Sequence, residues 1–188
     1  MKIIETPLPG VLILEPEPHG DSRGFFLETW REDTLKAFGI NDRFVQDNHS
    51  RSTRGILRGL HYQLTQPQGK LVRVARGAVY DVVVDVRYQS PTFGQWYGNT
   101  LDEESMRMMY IAPGFAHGFV VLSDIADFIY KCTDYYHPQS EQGIRWNDPA
   151  IAIEWPITDV QLSEKDSNNP LLQDQSERLL PRYTDPPS

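Results

Sequence analysis

The sequence predicts an all-β jelly-roll barrel with a short helix near each end. Three observations carry this reading. Stretches rich in β-branched and aromatic residues recur about every ten positions between residues 70 and 133. Turn signals separate them, among them Arg76-Gly77, Ser90-Pro91-Thr92-Phe93-Gly94, Asp102-Glu103-Glu104-Ser105, Pro113-Gly114 and Ser123-Asp124. Helix signals are confined to one stretch on each side of this run.

The first helix falls within residues 29–39, with Glu32 and Asp33 at its front and Gly39 placed to take the left-handed position at its end. Strands follow at residues 70–75, 78–86, 95–101, 107–111, 118–122 and 126–133. Val82, Val83 and Val84 are apolar on both faces, which predicts a strand covered on both sides. On the last strand Phe128, Tyr130 and Cys132 share one face, and Ile129 and Lys131 the other. Trp146-Asn147-Asp148-Pro149 and Trp155-Pro156 read as rigid loops. Residues 162–166 read as the start of a short helix capped by Ser163. Residues 181–188 read as a loose tail, and residues 1–188 as one domain.

Composition narrows the function. The net charge of −8 argues against a general nucleic-acid binder, because neutralising phosphates needs a basic face. No apolar run approaches the roughly 20 residues of a membrane span, and MKIIETPLPG shows no continuous apolar signal region. Cys132 is the only cysteine, so no intrachain disulfide can form. The expectation is a soluble, cytoplasmic protein. The charge is also unevenly placed. No Asp or Glu stands between Asn48 and Tyr80, yet Arg51, Arg54, Arg58, Lys70, Arg73 and Arg76 do. That segment reads either as a small-anion site or as a strand pair whose charges meet acids elsewhere.

Of the histidines His19, His49, His61, His117 and His137, two stand out. His61 lies inside the acid-free segment, and His117 follows the Pro113-Gly114 turn. A histidine can take a proton near neutral pH, a lysine such as Lys70 can hold a developing enolate oxygen, and a pocket-facing tyrosine can donate a proton. Tyr130 fits that last role or that of a core tyrosine. A tyrosine of Asp134-Tyr135-Tyr136-His137 can stack on a planar ring or simply pack. A jelly roll with a Pro-Gly-x-x-His turn resembles the cupin superfamily, whose metal sites use a His-x-His pair, a nearby Glu and a later His. Here Gln63 stands two positions after His61, and no acid follows until Asp81. Only His117 keeps the pattern, so no metal is expected.

Six motifs then carry a specific resemblance: Asp21-Ser22-Arg23-Gly24-Phe25-Phe26, Phe44-Val45-Gln46-Asp47-Asn48-His49-Ser50, Gly55-Ile56-Leu57-Arg58-Gly59-Leu60-His61-Tyr62-Gln63, Gln68-Gly69-Lys70-Leu71-Val72-Arg73-Val74, Ile111-Ala112-Pro113-Gly114-Phe115-Ala116-His117-Gly118-Phe119 and Leu162-Ser163-Glu164-Lys165-Asp166. In this order, over residues 3–181, the chain resembles the dTDP-4-dehydrorhamnose 3,5-epimerases, cupin-fold enzymes of dTDP-L-rhamnose synthesis. The resemblance implies a dTDP-sugar substrate, dTDP-4-dehydro-6-deoxy-D-glucose, inverted at C3 and C5 beside the C4 ketone with no cofactor. It implies His61 as base, Asp166 as its hydrogen-bond partner, Tyr130 as acid on the opposite face and Lys70 at the enolate oxygen. It assigns the diphosphate to Arg23 and Arg58, with Lys165 and His117 as helpers. Glu28, Gln46 and Asn48 would bind polar edges of the nucleotide or sugar. Tyr136 would stack on thymine, and Phe26 and Glu141 would complete the wall. It also implies a homodimer, with Arg23, Phe26 and Glu28 crossing to the neighbouring subunit. Relatives that invert only C3 or only C5, and a binding module without catalysis, share much of this pattern. Arg58 and His61 are an odd number of positions apart, so a regular strand would face them oppositely. A bulge at Gly59 would turn both inward; otherwise Arg58 lies at the rim.

Overall fold

Short strands, most of them rich in β-branched and aromatic residues, build two antiparallel sheets that pack face to face. The computed structural model describes residues 1–184. In chain order the strands are β1 (Lys2–Glu5), β2 (Val11–Glu15), β3 (His19–Asp21), β4 (Gly24–Phe26), β5 (Gln46–Thr53), β6 (Leu57–Gln63), β7 (Lys70–Arg76), β8 (Ala78–Asp85), β9 (Trp96–Asp102), β10 (Met108–Ile111), β11 (Phe115–Val121), β12 (Ile125–Cys132) and β13 (Glu141–Gly143). One sheet runs β1-β2-β10-β7-β12-β5 and the other β13-β6-β11-β8-β9, while β3 and β4 form a separate hairpin. The predicted all-β jelly roll is the fold observed. Helix α1 (Glu32–Ala37) lies between β4 and β5, and α2 (Glu164–Ser167) follows the last strand.

The two apolar faces meet in a core that includes Val72, Val74 and Phe128 from one sheet and Val79, Val83 and Phe119 from the other. Phe119 and Phe128 stack at 4.2 Å between centroids in the middle of it. Val82 and Val84 point the other way. They pack with Leu60, Ile144, Ile151, Leu172 and Leu180, so the C-terminal segment covers the outer face of the five-stranded sheet. β8 is thus covered on both sides, as its run of valines predicts. A third cluster buries Leu35 and Ile40 of the α1 segment against Leu14, Leu71, Met108 and Tyr110.

The structure shifts several boundaries. Residues 29–31 are not helical, and α1 begins at Glu32; Gly39 takes φ +82° as expected for its end. β11 begins at Phe115, so His117 sits within the strand. Of the segment read as a loose tail, residues 181–183 are tied to Tyr88: Tyr88 N donates to Pro181 O and Tyr183 N to Tyr88 O. Arg87 lies over the Tyr183 ring and Arg182 over that of Tyr88. These backbone and cation–π contacts correct the loose reading there; residues 185–188 of that segment lie outside the described residues.

The β6–β11 ladder holds the feature that matters most for the site. His117 pairs with His61, and Phe119 with Arg58, with a register shift between them. Two steps along β11 therefore match three along β6, which is a bulge. Gly59 at the bulge has φ +120°. A Cβ there would lie 2.6 Å from Gly118 Cα and 2.8 Å from His117 O. Gly59→Ala must therefore push the strands apart in a backbone conformation that L-residues avoid. It is expected to cost about 3 kcal/mol and to lower Tm by roughly 6–12 °C. A thermal melt showing a drop under about 3 °C would count against this packing.

Candidate functional site

A cavity of about 520 Å³ opens between the two sheets at one end of the sandwich. Arg58, His61 and His117 line it from β6 and β11, Lys70 and Tyr130 from β7 and β12, and Lys165 and Asp166 from α2. Tyr136, Glu141, Gln46 and Asn48 stand around a shallower space that shares Tyr130 with the main cavity. The bulge at Gly59 does what the residue spacing left open, since Arg58 and His61 both line the same cavity.

His61 is held on two sides. Its Nε2 lies 2.6 Å from Asp166 Oδ1, and its Nδ1 lies 3.7 Å from Glu141 Oε1. Asp166 reaches the ring because Ser163 caps α2, its side chain accepting from the Asp166 N–H at 3.1 Å. The Gly59 N–H donates to the other Asp166 oxygen at 3.4 Å. Burial works to raise the Asp166 carboxyl, but its hydrogen bonds and the nearby His61 outweigh burial and hold it below the usual range. An ionised Asp166 fixes the proton on Nε2 and leaves the Nδ1 lone pair to act as a base. Glu141 is buried enough to be pushed up, yet contacts with Lys165, His61 and Tyr136 bring it below its ordinary value. Lys165 bonds Glu141, and the Tyr136 hydroxyl donates to the same carboxylate at 2.9 Å.

Tyr130 faces His61 from the opposite sheet. It stands in register with Asn48 of β5 and Val72 of β7, between Phe128 and Cys132 on the inward face. Burial pushes its hydroxyl above the ordinary tyrosine value, so it stays protonated and can donate. Lys70, in register with Cys132, has no ion-pair partner among the described residues. Burial pulls its ammonium below the ordinary value, against the opposing pull of Cys132, Asp81 and Glu141. An unpaired, desolvated ammonium is a strong donor to a developing negative oxygen.

Two further contacts complete the site. Arg58 Nε donates to Ser52 Oγ at 3.1 Å, which aims the guanidinium from the bulge. His117 Nε2 lies 3.0 Å from both oxygens of Asp81, a fully buried carboxylate on β8. Burial raises the Asp81 carboxyl more than His117 lowers it. Asp81 was missed as a site residue in the sequence reading. Its signal was an acid inside the apolar run of residues 78–86. The basic segment itself divides. Arg51 pairs with Asp127 and Arg54 with Asp124, outside the cavity, while Arg58 and Lys70 face into it.

Three predicted contacts lie elsewhere. Arg23 and Phe26 sit on the β3–β4 hairpin, with the Arg23 side chain 88 % exposed and bonded to Asp21. Phe26 is 70 % exposed. Glu28 lies 4.0 Å from Arg31 on the segment that follows. None of the three lines the cavity of this chain.

Because the free ammonium lies below its ordinary value of 10.5, it loses its proton earlier than an exposed lysine as pH rises. Burial moves Tyr130 the opposite way. The alkaline fall of kcat/KM, which reports the free enzyme, is therefore expected below pH 10.5, and Lys70→Arg is expected to move it upward, since arginine stays charged. A pH–rate profile unchanged in Lys70→Arg would separate this limb from Lys70.

Comparison with known proteins supports the assignment made from the residues. Residues 5–174 match the family model described as dTDP-4-dehydrorhamnose 3,5-epimerase. The dTDP-4-dehydrorhamnose 3,5-epimerase of Salmonella typhimurium is 54 % identical over 175 residues, 92 % of this chain and 96 % of that one. The structure of the dTDP-6-deoxy-D-glucose-3,5-epimerase of Legionella pneumophila, in complex with dTDP-4-keto-L-rhamnose, superposes with a TM-score of 0.95 at 55 % identity. It covers 97 % of this chain and 98 % of that one. A 3'-monoepimerase from Streptomyces bikiniensis, in complex with dTDP-quinovose, reaches a TM-score of 0.87 at 39 % identity, covering 95 % and 93 %. Matched by the family model over residues 5–174 and by relatives more than half identical along almost its full length, with His61, Lys70 and Tyr130 around one cavity, this chain belongs to the dTDP-4-dehydrorhamnose 3,5-epimerase family, which are isomerases.

Proposed function

We propose that the chain converts dTDP-4-dehydro-6-deoxy-D-glucose to dTDP-4-dehydro-L-rhamnose by inverting C3 and C5. The observation that carries this is the placement of His61, backed by Asp166 at 2.6 Å, and Tyr130 on opposing sheets across one cavity. A C–H beside a ketone is acidic because its electron pair can move onto the ketone oxygen. His61 Nδ1 takes the proton, and the pair leaves the C–H bond to give an enolate at O4. The Lys70 ammonium holds that oxygen. Asp166 and Glu141 flank the imidazolium that forms. The Tyr130 hydroxyl then delivers a proton to the same carbon from the other face, which inverts it. His61 passes its proton to solvent and Tyr130 recovers one. The cycle repeats at the second carbon, and no step moves an electron to or from an outside carrier.

Arg58 and Lys165 bind the diphosphate, with His117 beside them, because a guanidinium fork can hold two phosphate oxygens at once. Tyr136 stacks on thymine, and Gln46 and Asn48 take polar edges nearby. Arg58→Ala is expected to raise KM about tenfold to a hundredfold through the lost charge-assisted bonds. Steady-state kinetics showing KM unchanged within error would remove Arg58 from the diphosphate. Arg23, Phe26 and Glu28 serve the cavity of a second copy. Their hairpin is exposed and apart from this chain's cavity, which supports a homodimer; sedimentation at the mass of a monomer would exclude it. No helix among the described residues is long and apolar enough to cross a membrane, and we place the enzyme in the cytoplasm, with its substrate, as one domain.

The test is the product. Incubation with dTDP-4-dehydro-6-deoxyglucose and NMR of the ring couplings are expected to show both centres inverted. Inversion at C3 alone would group the chain with the monoepimerase rather than with the more identical 3,5-epimerases.

A further inference from the structure

The loop that carries Tyr136 is held in an unusual way. Residues 134–136 lie between β12 and β13, and their main chain makes no hydrogen bond to any other main-chain group among the described residues. Side-chain amides take its place. Gln68 Nε2 donates to Asp134 O at 2.9 Å. Gln63 Nε2 donates to Tyr135 O at 3.2 Å, and Gln63 Oε1 accepts from His137 N at 2.8 Å. Gln46 Oε1 accepts from Tyr136 N at 2.9 Å. Gln63 is 5 % exposed, and its second Nε2 hydrogen is taken by Gln66 O at 2.7 Å. Both of its donors and its oxygen are therefore engaged, which fixes the amide in one orientation. Such bonds tie the loop to β5, β6 and the segment leading into β7, where water alone would leave it free to move.

The Tyr136 ring leaves this clamp half-exposed, with its hydroxyl on Glu141. We infer that Gln63 and Gln68 are positioning residues for nucleotide recognition: by fixing residues 134–137 they hold the Tyr136 ring ready to receive a nucleobase face. This deepens the proposed function and rests on its placement of the base at Tyr136. A pre-set ring spares the ordering cost that a mobile loop would add on binding. The clamp acts on binding and leaves the His61, Tyr130 and Lys70 chemistry alone. The position that a cupin metal site gives to a second histidine is here occupied by a residue that anchors a binding loop.

The test is a double-mutant cycle on the intact enzyme, with dTDP affinity read by calorimetry alongside KM and kcat. Gln68→Ala is expected to weaken dTDP and raise KM about fivefold, with kcat within twofold, as one hydrogen bond would. Gln63→Ala, which loses more bonds, is expected to have the larger effect. In a Tyr136→Ala background Gln68→Ala should add nothing to dTDP affinity. Additive losses there, or a Gln68→Ala enzyme with unchanged dTDP affinity, would overturn the inference. If Tyr136→Ala alone binds dTDP normally, it is the placement of the base that fails. Melting temperatures identify any variant that merely unfolds; Gln68, less buried than Gln63, keeps the test available if Gln63→Ala does not fold.

Discussion

His61→Ala is expected to lose exchange of solvent hydrogen at both C3 and C5, with turnover falling about 10⁴-fold or more. In the proposed reaction one imidazole starts both inversions, and the other histidine lining the cavity, His117, is held by Asp81. The neighbouring carboxylates do not substitute. Asp166 spends its oxygens on His61 and the Gly59 N–H, and Glu141 is engaged by Lys165 and Tyr136. Both are also held below their ordinary values, which makes them weaker bases. Exchange is read by mass spectrometry after incubation in deuterated water. Retention of more than about a tenth of wild-type exchange would remove His61 from the role.

Tyr130→Phe separates the two halves of the reaction. The change deletes one oxygen and keeps the ring between Phe128 and Cys132, so the fold is expected to hold. Proton removal by His61 does not need the hydroxyl, whereas delivery from the other face does. Inversion is expected to fall about 10²- to 10³-fold, with exchange falling less than about tenfold. Equal losses of exchange and inversion would mean that Tyr130 does more than donate the last proton.

The sequence was most legible where one local rule governs the outcome. The valines of β8 announce a strand buried on both faces, and the structure divides them between two clusters. Ser163 caps α2 as its residue type predicts, which in turn brings Asp166 to His61 across 105 positions. The rest depended on tertiary partners. β5 is long but polar, Gln46–Thr53, and pairs only because β12 lies beside it. Residues 181–183 look like a free end, yet Tyr88 and Arg87 supply partners that no local pattern encodes. Arg51 and Arg58 read alike in sequence; the bulge at Gly59 turns one inward, while the outward face of β5 gives the other to Asp127. The pairing of Asp81 with His117 is invisible without the register of β8 against β11.

The central claim is that one base and one acid, on opposite walls of a single cavity, invert two carbons beside a ketone. Conversion of dTDP-4-dehydro-6-deoxyglucose in deuterated water, with the product's label located by NMR, tests it most directly. The account predicts deuterium at both C3 and C5 of an inverted product. A folded enzyme that binds dTDP and leaves both carbons unlabelled would contradict it.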